Sequence, residues 1–263
     1  MGETISILRC LGNWNTIVEK KKYKLKLATI NIDWFKKSKE LKNKILNEIR
    51  KQELDFLIVN ENIENFSFDK SYFVYNSKSI PTNKIFQHLD YGKYLNGFKP
   101  IRTSIYSKYE SIQELKTLDS YTSVCHKFQV QEKIICIYAT IIGTWGIKFQ
   151  EEIARNELDN FKADSQNLLS VNENFFICGD FNTSFIENEK RQLAKINSRA
   201  EIVEITDRLK ICRATEMIEH CIDHIFISSN LNMIGSNEIT TFLDDDILKD
   251  NPHKGICLKF NFQ

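Results

Sequence analysis

The chain has 263 residues, 42% of them hydrophobic and 27% charged, which is typical of a globular protein and excludes a disordered, collagen-like or coiled-coil chain. Its length fits one large domain with a substantial core. Thirty-six Lys and Arg residues against 35 Asp and Glu residues leave a formal net charge of +1, which excludes a general basic surface that would hold a polyanion without specificity.

The first elements follow an N-terminal stretch of different character. Residues 1–22 join a short apolar piece to a lysine run and are interpreted as an N-terminal extension. The segment KLKLATINI predicts a strand, and KSKELKNKILNEIRKQ predicts a helix because its apolar residues recur at helical spacing. The run LDFLIVN predicts a short strand that is covered on both faces.

The rest of the chain alternates between further strands and two helices. Strands are predicted near 71–76, 101–107, 121–130, 133–140, 222–228, 238–243 and 255–261, and in the run FFICG. Residues 147–170 carry the longest helical pattern, and a second helix is expected near 187–196. A turn at Gln131 and Glu132 predicts that the third and fourth of these strands form a hairpin. Mixed strands with long helices predict an α/β fold, a four-layer sandwich of two packed mixed β-sheets flanked by helices.

The cysteines and the hydropathy indicate the compartment. The seven cysteines form no CxxC pair and several lie in apolar runs, so we expect buried thiols in a reducing cytoplasm and neither a disulfide framework nor a structural zinc site. Nowhere do eighteen apolar residues run unbroken. These patterns predict a soluble, cytoplasmic protein that has no membrane partner.

Polar side chains stand at the ends of apolar runs, where local propensity does not favour them. They are Asn31 and Asp33 after the first strand, Glu61 after LDFLIVN, Asp180 and Asn182 in FFICGDFN, and Asp223 inside HCIDHIF. Burying a lone carboxylate costs roughly several kcal/mol unless it is paired or binds a metal. We therefore expect these groups to meet one another or a cation.

The oxygen-rich set of side chains indicates which ion this would be. Asp, Glu and Asn favour a hard ion, Mg²⁺ first with Mn²⁺ or Ca²⁺ next, and a sparse carboxylate cage of this kind is typical of phosphoryl chemistry. His253 follows later in the chain. If strand pairing brings it to Asp223, the carboxylate would favour the imidazolium form, which suits the charge that develops on a phosphorane.

These segments, in this order, resemble the endonuclease/exonuclease/phosphatase superfamily over residues 25–260, so that residues 23–263 would form a single catalytic domain. In TINID the resemblance puts Asn31 at the active centre and makes Asp33 a second metal ligand, while DFLIVNE supplies the metal-binding Glu61. GDFN is the most specific motif. It implies that Asp180 orients or deprotonates the attacking water and that Asn182 contacts the phosphate or the transition state.

The same resemblance implies three further roles. IDHIF makes Asp223 the residue that orients the catalytic His253, and CIYATIIG makes Tyr138 a ligand of the scissile phosphate, with Thr140 as the alternative under a shifted register. A tyrosine in an apolar strand is equally typical of a core residue with a tethered hydroxyl. Around His253 the chain departs from the family pattern, because Pro252 stands where the family carries a carboxylate.

The sequence therefore predicts divalent-metal-dependent hydrolysis of phosphodiester bonds. The first hypothesis is an Mg²⁺-dependent endonuclease or exonuclease, with Mn²⁺ as the alternative ion, nucleic acid as substrate and no obligate protein partner. A second is a phosphatase or phosphodiesterase that acts on a small phosphorylated metabolite or a lipid headgroup, which the near-zero net charge favours. A third is a catalytically decayed binding protein on the same scaffold, suggested by Pro252.

Overall fold

The computed structural model describes the residues 24–34, 37–63, 66–79, 85–86, 89–90, 100–143, 152–172, 174–187, 189, 196–229, 231, 238–243 and 253–261. The N-terminal extension 1–22 and Pro252 lie outside these ranges. Within them, no helix combines the length and the apolar character that crossing a membrane requires.

Fourteen strands and three helices are found in this described part of the chain. The strands are β1 (Lys24–Asn31), β2 (Phe56–Ile63), β3 (Phe73–Asn76), β4 (Ile85–Phe86), β5 (Leu89–Asp90), β6 (Pro100–Ser107), β7 (Ser111–Leu115), β8 (Ser123–Val130), β9 (Lys133–Ile141), β10 (Phe175–Asp180), β11 (Ile211–Arg213), β12 (Asp223–Ser228), β13 (Glu238–Phe242) and β14 (Gly255–Asn261). The helices are α1 (Lys39–Lys51), α2 (Glu152–Val171) and α3 (Ile196–Arg208).

Twelve of the strands form two mixed sheets of six strands each. The first sheet has the order β13–β14–β1–β2–β6–β3, the second has the order β11–β12–β10–β9–β8–β7, and β4 pairs with β5. Each large sheet contains one parallel pair, β1 with β2 and β9 with β10. The strands of each parallel pair are connected through a helix, α1 in the first sheet and α2 in the second, as parallel pairing requires a long crossover.

The two sheets pack face to face over a shared apolar core, with helices outside. Leu27 and Phe56 of the first sheet meet Ile137 and Phe176 of the second in this core. The other face of the first sheet packs against α1 through Ile45 and its neighbours, and the other face of the second sheet packs against α2 and α3. The predicted four-layer α/β sandwich is confirmed.

Local sequence explains why α1 forms where it does. Ser38 precedes the helix, and its hydroxyl accepts a hydrogen bond from the Leu41 amide at 3.2 Å, which satisfies one of the free donors of the first turn. The acidic Glu40 lies in the first turn and basic residues lie in the last turn, so these charges are opposite in sign to the ends of the helix dipole that they face. Ile45 and Ile49 recur at a spacing of one turn and are both buried.

Three predictions of local structure meet different outcomes. The hairpin is confirmed, since Val130 pairs with Lys133 across the turn. The second helix was expected near 187–196, but α3 begins at Ile196, and residues 188 and 190–195 lie outside the described ranges. The helix takes its position from Ile202 and Ile205, which pack into the core beneath the second sheet, a tertiary contact that outweighs local pattern. Of the six described cysteines, all are free thiols; five are buried, and Cys212 is exposed rather than buried.

Candidate active site

The candidate site lies at one edge of the sandwich, where strand ends from both sheets meet. Asn31 and Asp180 end β1 and β10, and Glu61 lies near the end of β2. Asp223 begins β12, and because β12 runs antiparallel to β10, Asp223 stands directly opposite Asp180. The antiparallel pairing of β14 with β1 brings His253, two residues before β14, to the same edge.

Three of the polar residues at this edge have left-handed backbone conformations. Asp33, Glu61 and Asn182 have φ values of 38°, 55° and 49°. Residues other than glycine seldom occupy this region, and such conformations concentrate at functional sites. Asp33 and Asn182 follow the ends of β1 and β10, whereas Glu61 lies within β2, two residues before its end.

The buried Asn31 connects three carboxylates from both sheets. Its Nδ2 group donates to Glu61 Oε2 at 3.1 Å and to Asp180 Oδ2 at 2.9 Å. Its backbone amide donates to Asp223 Oδ1 at 3.1 Å. Asn31 therefore uses its donors to hold three like charges close together, which offsets part of their mutual repulsion.

The Asp180 carboxylate accepts hydrogen bonds from two asparagines. Its side chain is almost fully buried, and its Oδ1 accepts from the Asn182 amide at 2.8 Å. Asn182 Nδ2 donates to Asp180 Oδ2 at 3.2 Å and to the Ile142 carbonyl at 2.8 Å. Burial raises the pKa of Asp180 to about 7, although the nearby His253 opposes this shift. Asp180 therefore titrates in the range where a general base works best.

His253 and Asp223 form a buried pair beside Asp180. His253 Nδ1 lies 3.0 Å from Asp223 Oδ2 and 4.0 Å from Asp180 Oδ2. Burial alone would lower the pKa of His253, but the Asp223 and Asp180 carboxylates outweigh it and raise the pKa to about 9. The imidazole is therefore a cation at neutral pH, held in a fixed orientation by Asp223.

The sequence pattern did not indicate two buried residues that contact the candidate site, Arg102 and Asn60. Arg102 on β6 stands opposite Glu61 in the β2–β6 register, and its Nη1 lies 3.2 Å from Glu61 Oε1. The fully buried Asn60 accepts from the Asp180 amide at 3.1 Å and donates from Nδ2 to the Thr140 carbonyl at 3.0 Å. A charged residue inside the apolar strand PIRTSIYS was the one available signal for Arg102.

The structure does not bring Tyr138 to this group, so its expected contact with the scissile phosphate is wrong. Tyr138 is fully buried in the core between the second sheet and its helices, and its hydroxyl lies 2.9 Å from Ser123 Oγ and 3.1 Å from Asp164 Oδ2. The alternative, Thr140, shares this face, with its hydroxyl 2.8 Å from Ser123 Oγ. Alternation along β9 is the reason, since Ile137 and Ala139 point into the core between the sheets.

Asp33 contributes to the site through its backbone. Its amide donates to Asn31 Oδ1 at 2.8 Å, which fixes the orientation of the Asn31 amide group, and its carboxylate lies 3.9 Å from the Lys37 ammonium. Its role as a second metal ligand stays a prediction.

The donor set fits a hard divalent ion. Carboxylate and amide oxygens predominate, as Mg²⁺ and Mn²⁺ prefer. Ligand atoms of Asp180, Asp223 and His253 also lie within 4.8 Å of one another and could hold a metal. However, an imidazolium paired with Asp223 offers no lone pair to an ion. The Glu61 carboxylate, which Asn31 also contacts, is therefore the better ligand.

Comparison with known proteins finds similar proteins by structure alone. No sequence-family model and no curated protein sequence matches the chain. The 3′ phosphatase NExo from Neisseria, solved with a product DNA hairpin, superposes with a TM-score of 0.66 and 10% identity, over 90% of this chain and 100% of that chain. An AP endonuclease from Archaeoglobus fulgidus superposes with a TM-score of 0.60 and 16% identity, over 90% of this chain and 99% of that chain. An endonuclease/exonuclease/phosphatase family protein from Leptotrichia buccalis superposes with a TM-score of 0.59 and 14% identity, over 90% of this chain and 100% of that chain.

Proposed function

We propose that this chain, which has the fold of the endonuclease/exonuclease/phosphatase superfamily, is a divalent-metal-dependent nuclease that hydrolyses phosphodiester bonds in DNA or RNA. The observation that carries the proposal is the meeting of Asn31, Glu61, Asp180, Asp223 and His253 at one edge of the sandwich. The similar structures support a nucleic-acid substrate, because one was solved with a DNA hairpin and another is an AP endonuclease.

Mg²⁺ is the proposed ion, with Mn²⁺ as the alternative. Glu61 would hold it together with Asp33, beside the oxygens of Asp180 and Asn31. When bound, such an ion supplies positive charge against the non-bridging oxygens of the phosphate.

Asp180 would act on the attacking water. Its carboxylate is fixed by Asn31 and Asn182, so it presents a defined oxygen toward the edge of the site. With a pKa near neutrality it can accept the proton of the water as the new bond to phosphorus forms. Asn182 would position Asp180; a direct contact of Asn182 with the phosphate, as the resemblance implies, would require one of its present hydrogen bonds to be exchanged.

His253 would stabilise the negative charge that builds on the phosphate oxygens. The imidazolium is held by Asp223 and needs no reorganisation when the transition state forms. This arrangement requires no covalent intermediate with the protein.

The second candidate is hydrolysis of a phosphomonoester, on a nucleic-acid end, a small metabolite or a lipid headgroup. Two observations favour it. The formal net charge is only +1, and one of the similar structures is that of a 3′ phosphatase from Neisseria. A catalytically decayed binding protein is less well supported, because the buried His253–Asp223 pair and the connected carboxylates are kept in a geometry suited to chemistry.

One set of assays tests the proposal. The purified chain is incubated with plasmid, single-stranded DNA, RNA, a 3′-phosphorylated oligonucleotide and a generic phosphodiester, with Mg²⁺, Mn²⁺ or chelator. Cleavage of a polymer that chelator abolishes would support the nuclease. Release of phosphate alone would support the phosphomonoesterase. Binding of DNA or RNA without turnover under any of these conditions would contradict both the nuclease and a phosphatase that acts on nucleic-acid ends.

His253→Ala is expected to lower kcat/KM by about 10²–10³, the usual loss on removal of one electrostatic donor to the transition state. In the wild type, activity should rise with pH as Asp180 loses its proton near pH 7 and fall as His253 loses its proton near pH 9. The variant should lose the second change, and the first should move to higher pH because His253 no longer lowers the pKa of Asp180. A kcat/KM profile from pH 5.5 to 10.5 measures both limbs.

His126→Gln serves as the matched control for this profile. His126 contacts Ser111 on the edge of the second sheet, and the variant should keep both limbs. A decline above pH 9 that persists in His253→Ala would show that another group is responsible.

A further inference from the structure

The candidate metal ligand Glu61 already has a cation beside it. Arg102 Nη1 lies 3.2 Å from Glu61 Oε1, and the Arg102 side chain is only 4% exposed, against 19% for Glu61. The guanidinium is thus held inside the protein, while the carboxylate reaches partly into solvent.

The position of Arg102 is fixed by the sheet. Asn60 pairs with Thr103 and Asn62 pairs with Ile101, which places Arg102 across from Glu61 between them. A guanidinium stays charged at all accessible pH values. A positive charge therefore remains next to Glu61 whether or not a metal ion is bound.

A carboxylate can contact more than one cation, because it offers about four lone-pair positions on its two oxygens. Oε1 receives Arg102, and Oε2 receives the Asn31 amide at 3.1 Å. An ion bound to Glu61 would share the carboxylate with Arg102, so that two cations would lie close together at a partly exposed site.

We propose that Arg102 is a positioning residue that neutralises Glu61 when the divalent ion is absent and weakens the binding of that ion. This inference rests on the proposed metal-dependent function and adds to it a determinant of ion affinity. It predicts a site that is stable without metal and exchanges its ion readily.

Two effects of Arg102 on the ion oppose each other. A residue that orients a metal ligand usually strengthens binding, and its loss costs roughly 10–100-fold in affinity. Here that orienting role is shared, because Asn31 holds Glu61 from the other oxygen. The repulsion between Arg102 and the ion has no such substitute, so the repulsion should prevail.

Titration with Mn²⁺ by calorimetry tests this, together with thermal unfolding in chelator and in Mn²⁺. Arg102→Met should bind Mn²⁺ about tenfold more tightly than the wild type, since a fixed charge of the same sign has been removed. Its Tm should be lower than that of the wild type in chelator, and Mn²⁺ should raise it by more. Arg102→Lys keeps the charge and should bind Mn²⁺ as the wild type does.

Two further variants complete the design. Arg213→Met breaks an ion pair of 2.8 Å with Glu216 in the second sheet and should leave Mn²⁺ affinity unchanged. Arg102→Gln keeps a hydrogen-bond donor and replaces Arg102→Met should that variant fail to fold. If Arg102→Met or Arg102→Gln binds Mn²⁺ as the wild type does or more weakly, the inference about Arg102 is overturned, while the proposed metal site is not. Wild-type protein that binds no Mn²⁺, or binds it equally after Glu61→Gln, would overturn the proposed metal site as well.

Discussion

Asp180→Asn is expected to lower kcat for phosphoester hydrolysis by at least about 10³-fold, because the variant keeps the shape of the side chain but cannot accept a proton. The carboxylate is buried, and its oxygens receive hydrogen bonds from Asn31 and Asn182. Single-turnover kinetics at saturating substrate measures the chemical step directly. KM should change little, since the lost interaction belongs to the transition state.

The matched control for Asp180→Asn is Asp164→Asn. Asp164 is also a buried carboxylate with a pKa raised by burial, to about 6, but it contacts Tyr138 on the far side of the second sheet. This variant should retain activity within about tenfold, since any loss would arise from packing alone. Equal losses in the two variants, or an Asp180→Asn protein with more than a tenth of wild-type activity, would contradict the assigned base.

Gly179→Ala is expected to prevent folding or to lower the free energy of unfolding by about 4 kcal/mol or more, a loss that only a severe backbone conflict produces. Gly179 has φ +143°, and an added Cβ would lie 1.8 Å from the Thr140 carbonyl oxygen on the neighbouring strand. Thr140 is main-chain paired with Gly179 in the parallel β9–β10 register and cannot move away alone. Urea unfolding followed by circular dichroism measures the loss.

Gly255→Ala provides the comparison for this prediction. There the added Cβ would meet the ring of Phe242 at 2.5 Å, which is a side chain that can shift. We expect a loss of about 1–3 kcal/mol, as for other cases of overpacking. Comparable stabilities of the two variants would show that the parallel pair tolerates a side chain at Gly179.

The sequence was informative about the fold and about residues at strand ends. Buried strands read as apolar runs, and a carboxylate that follows such a run needs a partner, so Glu61 and Asp180 were recognisable from local sequence. Their meeting follows from parallel crossovers and antiparallel neighbours, which bring the relevant strand ends to one edge. The segment order supplied the pairing of Asp223 with His253, which the structure places 3.0 Å apart.

The sequence was less informative about which face of a strand a side chain occupies and about contacts between residues far apart in the chain. Tyr138 lies on an apolar strand that is buried on both sides, so no alternation of hydropathy distinguishes its two faces. Asn60 bonds to groups 43, 80 and 120 residues away, and no local pattern encodes such contacts. Arg102 became interpretable only when the sheet register placed it across from Glu61.

The strand order has a consequence for how this scaffold diversifies. The described residues 77–79, 142–143, 181–187 and 243 each follow a strand that ends near the edge that carries Asp180 and Glu61. Connections of this kind tolerate insertion and replacement far better than the strands they join. Replacing the residues that follow these strand ends, while the strands that carry Asp180 and Glu61 are kept, is therefore a direct test of whether they influence substrate preference.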